Sequence, residues 1–271
     1  MRDRIRLDTL LVERGLCESR SRAAAAVMAG EVTLGSEGAR AAKPGTLVDR
    51  DVEVRLETGP RFVSRGGLKL ERALGCFAVP VEGRRVLDIG SSTGGFTDCL
   101  LQRGAEHVTC VDVGYGELDW RLREDPRVTV LERVNARHLR PALLPYRPDL
   151  IVMDVSFISL AKVLPAVAAC AEPRFDLLAL VKPQFELGRG RVGKGGVVRR
   201  AEDRLEALVA AGEAARGAGL SVQGYCSSGL PGPAGNRESF VWCTERARAG
   251  VEDLITAGRA AEPDTELAVV P

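Results

Sequence analysis

Histidine is almost absent from this sequence: His107 and His138 are the only two. That is too few for a histidine-rich metal centre, and no metal site is expected. The seven cysteines (Cys17, Cys76, Cys99, Cys110, Cys170, Cys226 and Cys243) are odd in number, scattered, and never spaced as C-x-x-C. This pattern fits reduced cytosolic thiols better than a disulfide framework or a zinc site. No apolar run approaches the roughly 20 residues that cross a bilayer, so stable membrane insertion is not expected. The first residues, MRDRIRLDTLL, lack the apolar centre of a signal peptide, and a cytoplasmic location is expected. Net charge is +1, so total charge points to no partner and any nucleic-acid face must be local.

What is present is the material of an ordinary globular protein, 271 residues at 45% hydrophobic and 28% charged. That length exceeds what most single cores need. Residues 1–57 read as a small module. Leu7, Leu10 and Leu11 mark a short helix over 7–14. Ser19 caps a second helix, SRAAAAVMA, which Gly30 ends. EVTL and DVEVRL look like short strands around a loop with Lys43-Pro44-Gly45. Arg2, Arg4, Arg6, Arg14, Arg20 and Arg22 collect on the helices. Interleaved acids make a solvated helix face the simpler account of that charge alone.

The stretch RLDTLLVERGLCESRSRAAAAVMAGEVTLG resembles the small RNA-binding domain of ribosomal protein S-four. In that family two short helices present arginines to RNA. The resemblance makes Arg4, Arg6, Arg20 and Arg22 candidate RNA contacts.

A joint over 58–63 follows, and then strand and helix signals alternate. RRVLDI, HVTCVDV, RVTVLE, DLIVMDV and FDLLALV read as strands. GGFTDCLLQRG, SLAKVLPAVAACA and AEDRLEALVAAGEAARGAG read as helices. LSVQGYCSS and SFVWCTE pair as a closing hairpin across a Gly/Pro-rich loop. Apolar strands separated by amphipathic helices predict an α/β domain over 64–260, a parallel Rossmann-like sheet covered on both faces. Residues 261–271 read as an unstructured tail.

In such a sheet a ligand sits beyond the strand carboxyl ends at the first crossover. VLDIGSSTGGF occupies that place. Gly90 permits the tight turn, and Gly94 and Gly95 let a ligand approach the backbone at a helix start. Asp112 ends the next strand about twenty residues on, where a carboxylate meets ribose hydroxyls. To that point NAD and S-adenosylmethionine (SAM) fit equally. The glycine spacing is wrong for a pyrophosphate grip. Asp88, inside the turn, suits an ammonium and a sulfonium better than a pyrophosphate. The cofactor expected is therefore SAM, cradled by Asp88, Gly90, Ser91, Ser92, Thr93, Gly94, Gly95, Phe96, Asp112, Val113, Asn135 and Asp154.

The pattern D-x-G-x-x-x-G-G-F resembles the FtsJ-type ribose methyltransferases. SRGGLKL, MDVSF, LVKPQFE and NRESF are similar to that family's other motifs. The resemblance implies a catalytic tetrad of Lys69, Asp154, Lys182 and Glu238. An S-four-type module joined to this domain is the arrangement of the TlyA family, over nearly the whole chain. Members methylate cytidine ribose 2′-hydroxyls in small- and large-subunit ribosomal RNA, and an older name calls them haemolysins. The partners implied are ribosomal RNA or ribosomal subunits; protein partners are unknown.

Two residues depart from the wider pattern. Ser92 stands in place of a frequent glycine, and Asn135 stands where many methyltransferases place an acid toward adenine. The loop GRGRVGKGGVVRR is basic and glycine-rich, and Arg189, Arg191 and Lys194, with Arg65, are further candidate phosphate contacts. Among the four tetrad residues Lys182 is expected as the base, with Lys69 and Asp154 orienting it and the ribose, and Glu238 neutralising and positioning Lys69 or the hydroxyl. The competing expectations are a catalytically silent ribosome-binding factor, a membrane-active haemolysin, and a methyltransferase with another substrate.

Overall fold

The protein is described by a computed structural model covering residues 4–28, 31–35, 39–40, 43–56, 61–193 and 195–261. The chain forms two compact units, Met1–Arg61 and Phe62–Pro271. Gly30, residue 57, residues 58–60 of the expected joint, and 262–271 of the expected tail lie outside the described residues.

The first unit runs β1 (Arg4–Arg6), α1 (Leu7–Glu13), α2 (Arg20–Met28), β2 (Val32–Leu34), β3 (Ala39–Arg40), β4 (Leu47–Asp49) and β5 (Val54–Leu56). Leu7, Leu10 and Leu11 are buried on one side of α1, with Val27 and Val32 in the same cluster. The Arg22 amide donates to Ser19 Oγ at 3.2 Å, so Ser19 does cap α2. Arg4 and Arg6 stand on a strand, not on a helix: Ile5 between them is buried, and β1 pairs antiparallel with β4. Three residues of alternation are too short a signal to read as a strand without the partner.

The second unit begins with α3 (Gly66–Phe77) and continues through β6 (Arg85–Ile89), α4 (Gly95–Gln102), β7 (His107–Val111), α5 (Trp120–Arg123), β8 (Val128–Leu131) and β9 (Leu150–Met153). It closes with α6 (Leu164–Ala168), β10 (Asp176–Val181), α7 (Pro183–Glu186), α8 (Ala201–Gly217), β11 (Leu220–Ser227), β12 (Ser239–Glu245) and α9 (Leu254–Ala261). One seven-stranded sheet has the order β11-β12-β10-β9-β6-β7-β8. β12 runs antiparallel to both neighbours, and the ladders from β10 to β8 are parallel.

Successive residues of β6 explain why both faces are covered. Val86 enters a cluster with Leu70, Leu74 and Leu100 from α3 and α4. Leu87 and Ile89 enter the opposite cluster with Val167 of α6 and Leu208 of α8. A strand apolar on both sides is stable only between two helical layers. The stretch 159–171 is not one helix. It splits into a 3-10 turn at Leu160–Lys162 and α6, because Pro165 has no amide to donate and belongs in a first turn.

Asp88 places a carboxyl group inside this core with no exposure. Thr97 Oγ1 donates to its Oδ2 at 2.6 Å, and its Oδ1 has no hydrogen-bond partner among the described residues. Burial pushes the carboxyl up to about 7, against the opposing hydrogen bond from Thr97. A folded state that holds a proton the unfolded chain has released loses stability as pH rises. Between the ordinary carboxyl value of 3.8 and about 7, Asp88 should therefore contribute a falling stability. We expect urea titrations across that window to show a steeper decline for the wild type than for Asp88→Asn. Parallel curves would remove Asp88 as the source.

Candidate active site

The sheet order reverses at β6: the chain leaves it for β7 and β8 on one side, and returns on the other through β9 and β10. The turn after β6 fills the crevice this reversal opens. The Gly90 amide donates to the Val111 carbonyl at 2.8 Å, and the Asp154 amide donates to the Ile89 carbonyl at 2.9 Å. Gly90 has φ +81°, and a Cβ there would lie 2.5 Å from the Asp154 carbonyl oxygen. Only glycine lets β6 and the end of β9 meet so closely. At the start of α4, a Cβ on Gly95 would lie 2.2 Å from Ser64 Oγ and 3.0 Å from the Gly67 amide, so α3 is brought against the same turn.

Ser92 occupies the left-handed region at φ +45°, the conformation that favours the glycine it replaces. Its amide donates to Asp112 Oδ2 at 2.8 Å, and its hydroxyl meets Glu117 Oε2 at 3.1 Å. The Gly114 amide donates to Asp112 Oδ1 at 2.7 Å. Both oxygens of Asp112 are thus oriented by backbone donors while keeping lone pairs for a ligand.

Two cavities flank the turn, and Gly90, Ser92 and Asp154 line both. One, of about 480 Å³, is lined by Asp112, Val113, Glu117 and Asn135 with apolar residues such as Val134 and Ile158. Its charged residues among those described are all acids. Asn135 uses its side-chain oxygen to cap a 3-10 turn, accepting from the Arg137 amide at 3.0 Å. The other cavity, of about 400 Å³, is lined by Ser64, Arg65, Lys69, Ser91, Thr93, Gly95, Phe96, Lys182 and Glu238.

The four predicted catalytic residues come together here as two ion pairs. Lys69, on α3, holds Glu238, just before β12, at 2.5 Å, and both are buried. Lys182, at the end of β10, lies 2.7 Å from Asp154 Oδ1 and donates to Ser156 Oγ at 2.7 Å. The Lys182–Asp154 contact is an ion pair without the alignment of a hydrogen bond. Arg65 donates from Nη2 to the Pro231 carbonyl at 3.1 Å, tying α3 to the loop before Glu238.

Other predicted residues stand elsewhere. Asp88 lies beneath the turn, outside the linings of both cavities. Gly94 has φ +95° and faces Leu118 and Leu122, so its role is packing of the turn. Arg191 is engaged by Asp203 and Glu206 of α8 at 3.1 and 2.7 Å. Lys194 and the side chain of Arg189 lie outside the described residues. In the first unit Arg4 pairs with Asp49, Arg6 and Arg20 with Asp8, and Arg22 with Glu31. Sequence reasoning missed Glu117, Ser156 and Phe157. Glu117 had a signal, being a second acid on the loop that follows Asp112. Phe157 stands at φ +62° and is 91% exposed beside the first-described cavity.

The residues present fit SAM. A cavity with several carboxylates, an amide and apolar walls suits an adenosyl group carrying a cation, and it disfavours a pyrophosphate. Asp88 Oδ1, buried beneath the same turn, is a further polar atom without a hydrogen-bond partner among the described residues.

Comparison with known proteins agrees with this geometry. Residues 62–245 match the FtsJ-like methyltransferase family, and residues 5–54 match the S4 domain. The 16S/23S rRNA (cytidine-2′-O)-methyltransferase TlyA of Mycobacterium tuberculosis is 49% identical over 94% of this chain and 97% of its own. YqxC of Bacillus subtilis, named for an rRNA methyltransferase activity assigned to it by inference, is 48% identical over 86% of this chain and 83% of its own. A solved structure named as a hemolysin, from Streptococcus thermophilus, superposes with a TM-score of 0.72 at 39% identity, covering 96% of each chain. The chain belongs to the TlyA family, an S4 domain joined to an FtsJ-like methyltransferase.

Proposed function

We propose that the chain transfers a methyl group from SAM to the ribose 2′-hydroxyl of a cytidine in ribosomal RNA. The observation that carries this is Asp154. It borders both cavities, and it holds Lys182 where the acidic cavity meets the one with Lys69 and Arg65. Membership of the TlyA family supports the same reaction, as do relatives whose names specify cytidine 2′-O-methylation. In this reading Asp112, with Ser92, Glu117 and Asn135 around it, holds the cofactor's nucleoside. When bound, SAM supplies an electrophilic methyl group on a sulfonium.

The remaining tasks belong to the chain. A ribose hydroxyl is a weak acid, so the transfer needs a group to take its proton and an alignment for in-line attack. Lys69 is fixed by Glu238 and serves as a charged donor that orients the ribose. Lys182 is the base. Asp154 and Ser156 set the direction of its Nζ; the ammonium must first release a proton to solvent, and the proton of the hydroxyl then passes to the freed lone pair of that nitrogen. The charges are coupled, so the protonation state belongs to the cluster. Arg65 and the first unit contact RNA phosphates, with the joint over 58–63 between the two domains. The reading places the enzyme with ribosomal subunits in the cytoplasm.

Two measurements test the assignments. In calorimetry, Asp112→Ala should weaken SAM binding about 10- to 100-fold, the loss expected when a charged acceptor is removed, and NAD should not bind the wild type. Unchanged affinity would take Asp112 out of the cofactor site. With tritiated SAM and ribosomal subunits, Lys182→Ala should lose methyl transfer by about 10² to 10⁴-fold, the usual worth of a general base. Lys182→Arg should fail nearly as badly, since a guanidinium does not give up its proton at working pH. An arginine variant within a few-fold of wild type would leave Lys182 as a positioning charge.

A further inference from the structure

The first unit carries its cations in an arrangement that charge alone does not explain. Asp8, in the first turn of α1, is 4% exposed. Arg6 Nε donates to Asp8 Oδ1 at 3.0 Å, and Arg6 Nη2 donates to Oδ2 at 2.7 Å. Arg20 Nη2 reaches the same Oδ2 at 3.3 Å from α2. Thr9 Oγ1 donates to Oδ1 at 3.2 Å. The hydrogen bond from Arg6 holds the Asp8 carboxyl far below the usual carboxylate range. Behind the pair, the Asp8 amide donates to the Pro44 carbonyl at 3.0 Å. A Cβ on Gly45 would lie 3.1 Å from Arg6 Nη1, so one face of that guanidinium rests on the Lys43-Pro44-Gly45 turn. Yet the side chains of Arg6 and Arg20 are still 50% and 61% exposed.

An acid between two arginines weakens a surface meant only to be positive. It offsets one of the two charges and repels phosphate. Geometry gives it a purpose. A guanidinium is a planar fork with donors on more than one edge. With one edge fixed on Asp8, the outward edge of Arg6 is already oriented before any partner arrives, and the ordering cost is not met on binding. The shared Oδ2 keeps Arg20 beside it.

We propose that Asp8 is a positioning residue for RNA: it holds Arg6 and Arg20 side by side so that their outward edges take neighbouring phosphates of an RNA backbone. The inference rests on the reading of the first unit as an RNA-binding domain. It predicts the opposite of simple electrostatics, because removing the acid should weaken binding to a polyanion.

The test is a fluorescence titration of the full chain with a labelled double-stranded RNA hairpin at several salt concentrations. Asp8→Asn should bind about tenfold more weakly than wild type, within the range of coupling between contacting charged groups. Arg6→Gln should lose affinity and lower the salt slope by about 1 in the wild type, and should cost little more in the Asp8→Asn background. SAM affinity should not change in either variant. Arg6→Lys, at an exposed position, keeps the charge but loses the two-oxygen contact, and should bind as weakly as Arg6→Gln. It decides the matter if Asp8→Asn does not fold. Tighter binding by Asp8→Asn, equal cost of Arg6→Gln in both backgrounds, or full affinity of Arg6→Lys would overturn the proposal. A wild type that binds no RNA hairpin or ribosomal subunit would overturn the RNA-binding reading itself.

Discussion

The close passage of Gly90 against the Asp154 carbonyl is the constraint on which the site depends. A side chain at Gly90 would push β6 and the end of β9 apart. Their contact puts Asp154 on the wall shared by two cavities, and Asp154 in turn carries Lys182. The same turn is met from the other side by α3, whose approach requires glycine at position 95. That approach delivers Lys69 to Glu238. Backbone economy at two glycines therefore assembles four charged side chains from four separate segments.

Those charges are arranged as two self-contained pairs. A buried lysine or carboxylate alone is strongly disfavoured, and pairing is the usual remedy. The Lys69–Glu238 pair is the more enclosed and acts as a fixed fitting. The Lys182–Asp154 pair is partly exposed, and its lysine also donates to the Ser156 hydroxyl. On the far side of the turn, carboxylates gather without a lysine or arginine in the lining. A cationic cofactor offsets part of that charge, whereas a dinucleotide would add to it.

Much of this was legible in the sequence. The strands of the second unit announce themselves because a sheet buried on both faces needs nearly continuous apolar runs, as in LIVM of β9 and DLLALV of β10. The glycine turn and the acid ending β7 are spaced by the geometry of one crossover. The four catalytic candidates came from resemblance, since nothing in a sequence shows that Lys69 and Glu238, so far apart along the chain, will touch. Three things were not legible. Arg4 and Arg6 lie on a strand too short to show a period. The break before α6 follows from one proline within an otherwise helical pattern. The pairing of every candidate RNA-contact arginine in the first unit with an acid depends on tertiary placement. Ser92 departs from the wider motif, and its left-handed backbone and its contacts to Asp112 and Glu117 show a substitution the turn accommodates.

The central claim is that the methyl group lands on a ribose oxygen of ribosomal RNA. The direct measurement is mass-spectrometric mapping of nucleosides from ribosomal subunits incubated with the purified protein and SAM. The account predicts cytidine carrying one added methyl on the ribose 2′-oxygen, and none on a base. A methyl on a base, or no methyl on RNA while SAM binds normally, would contradict it.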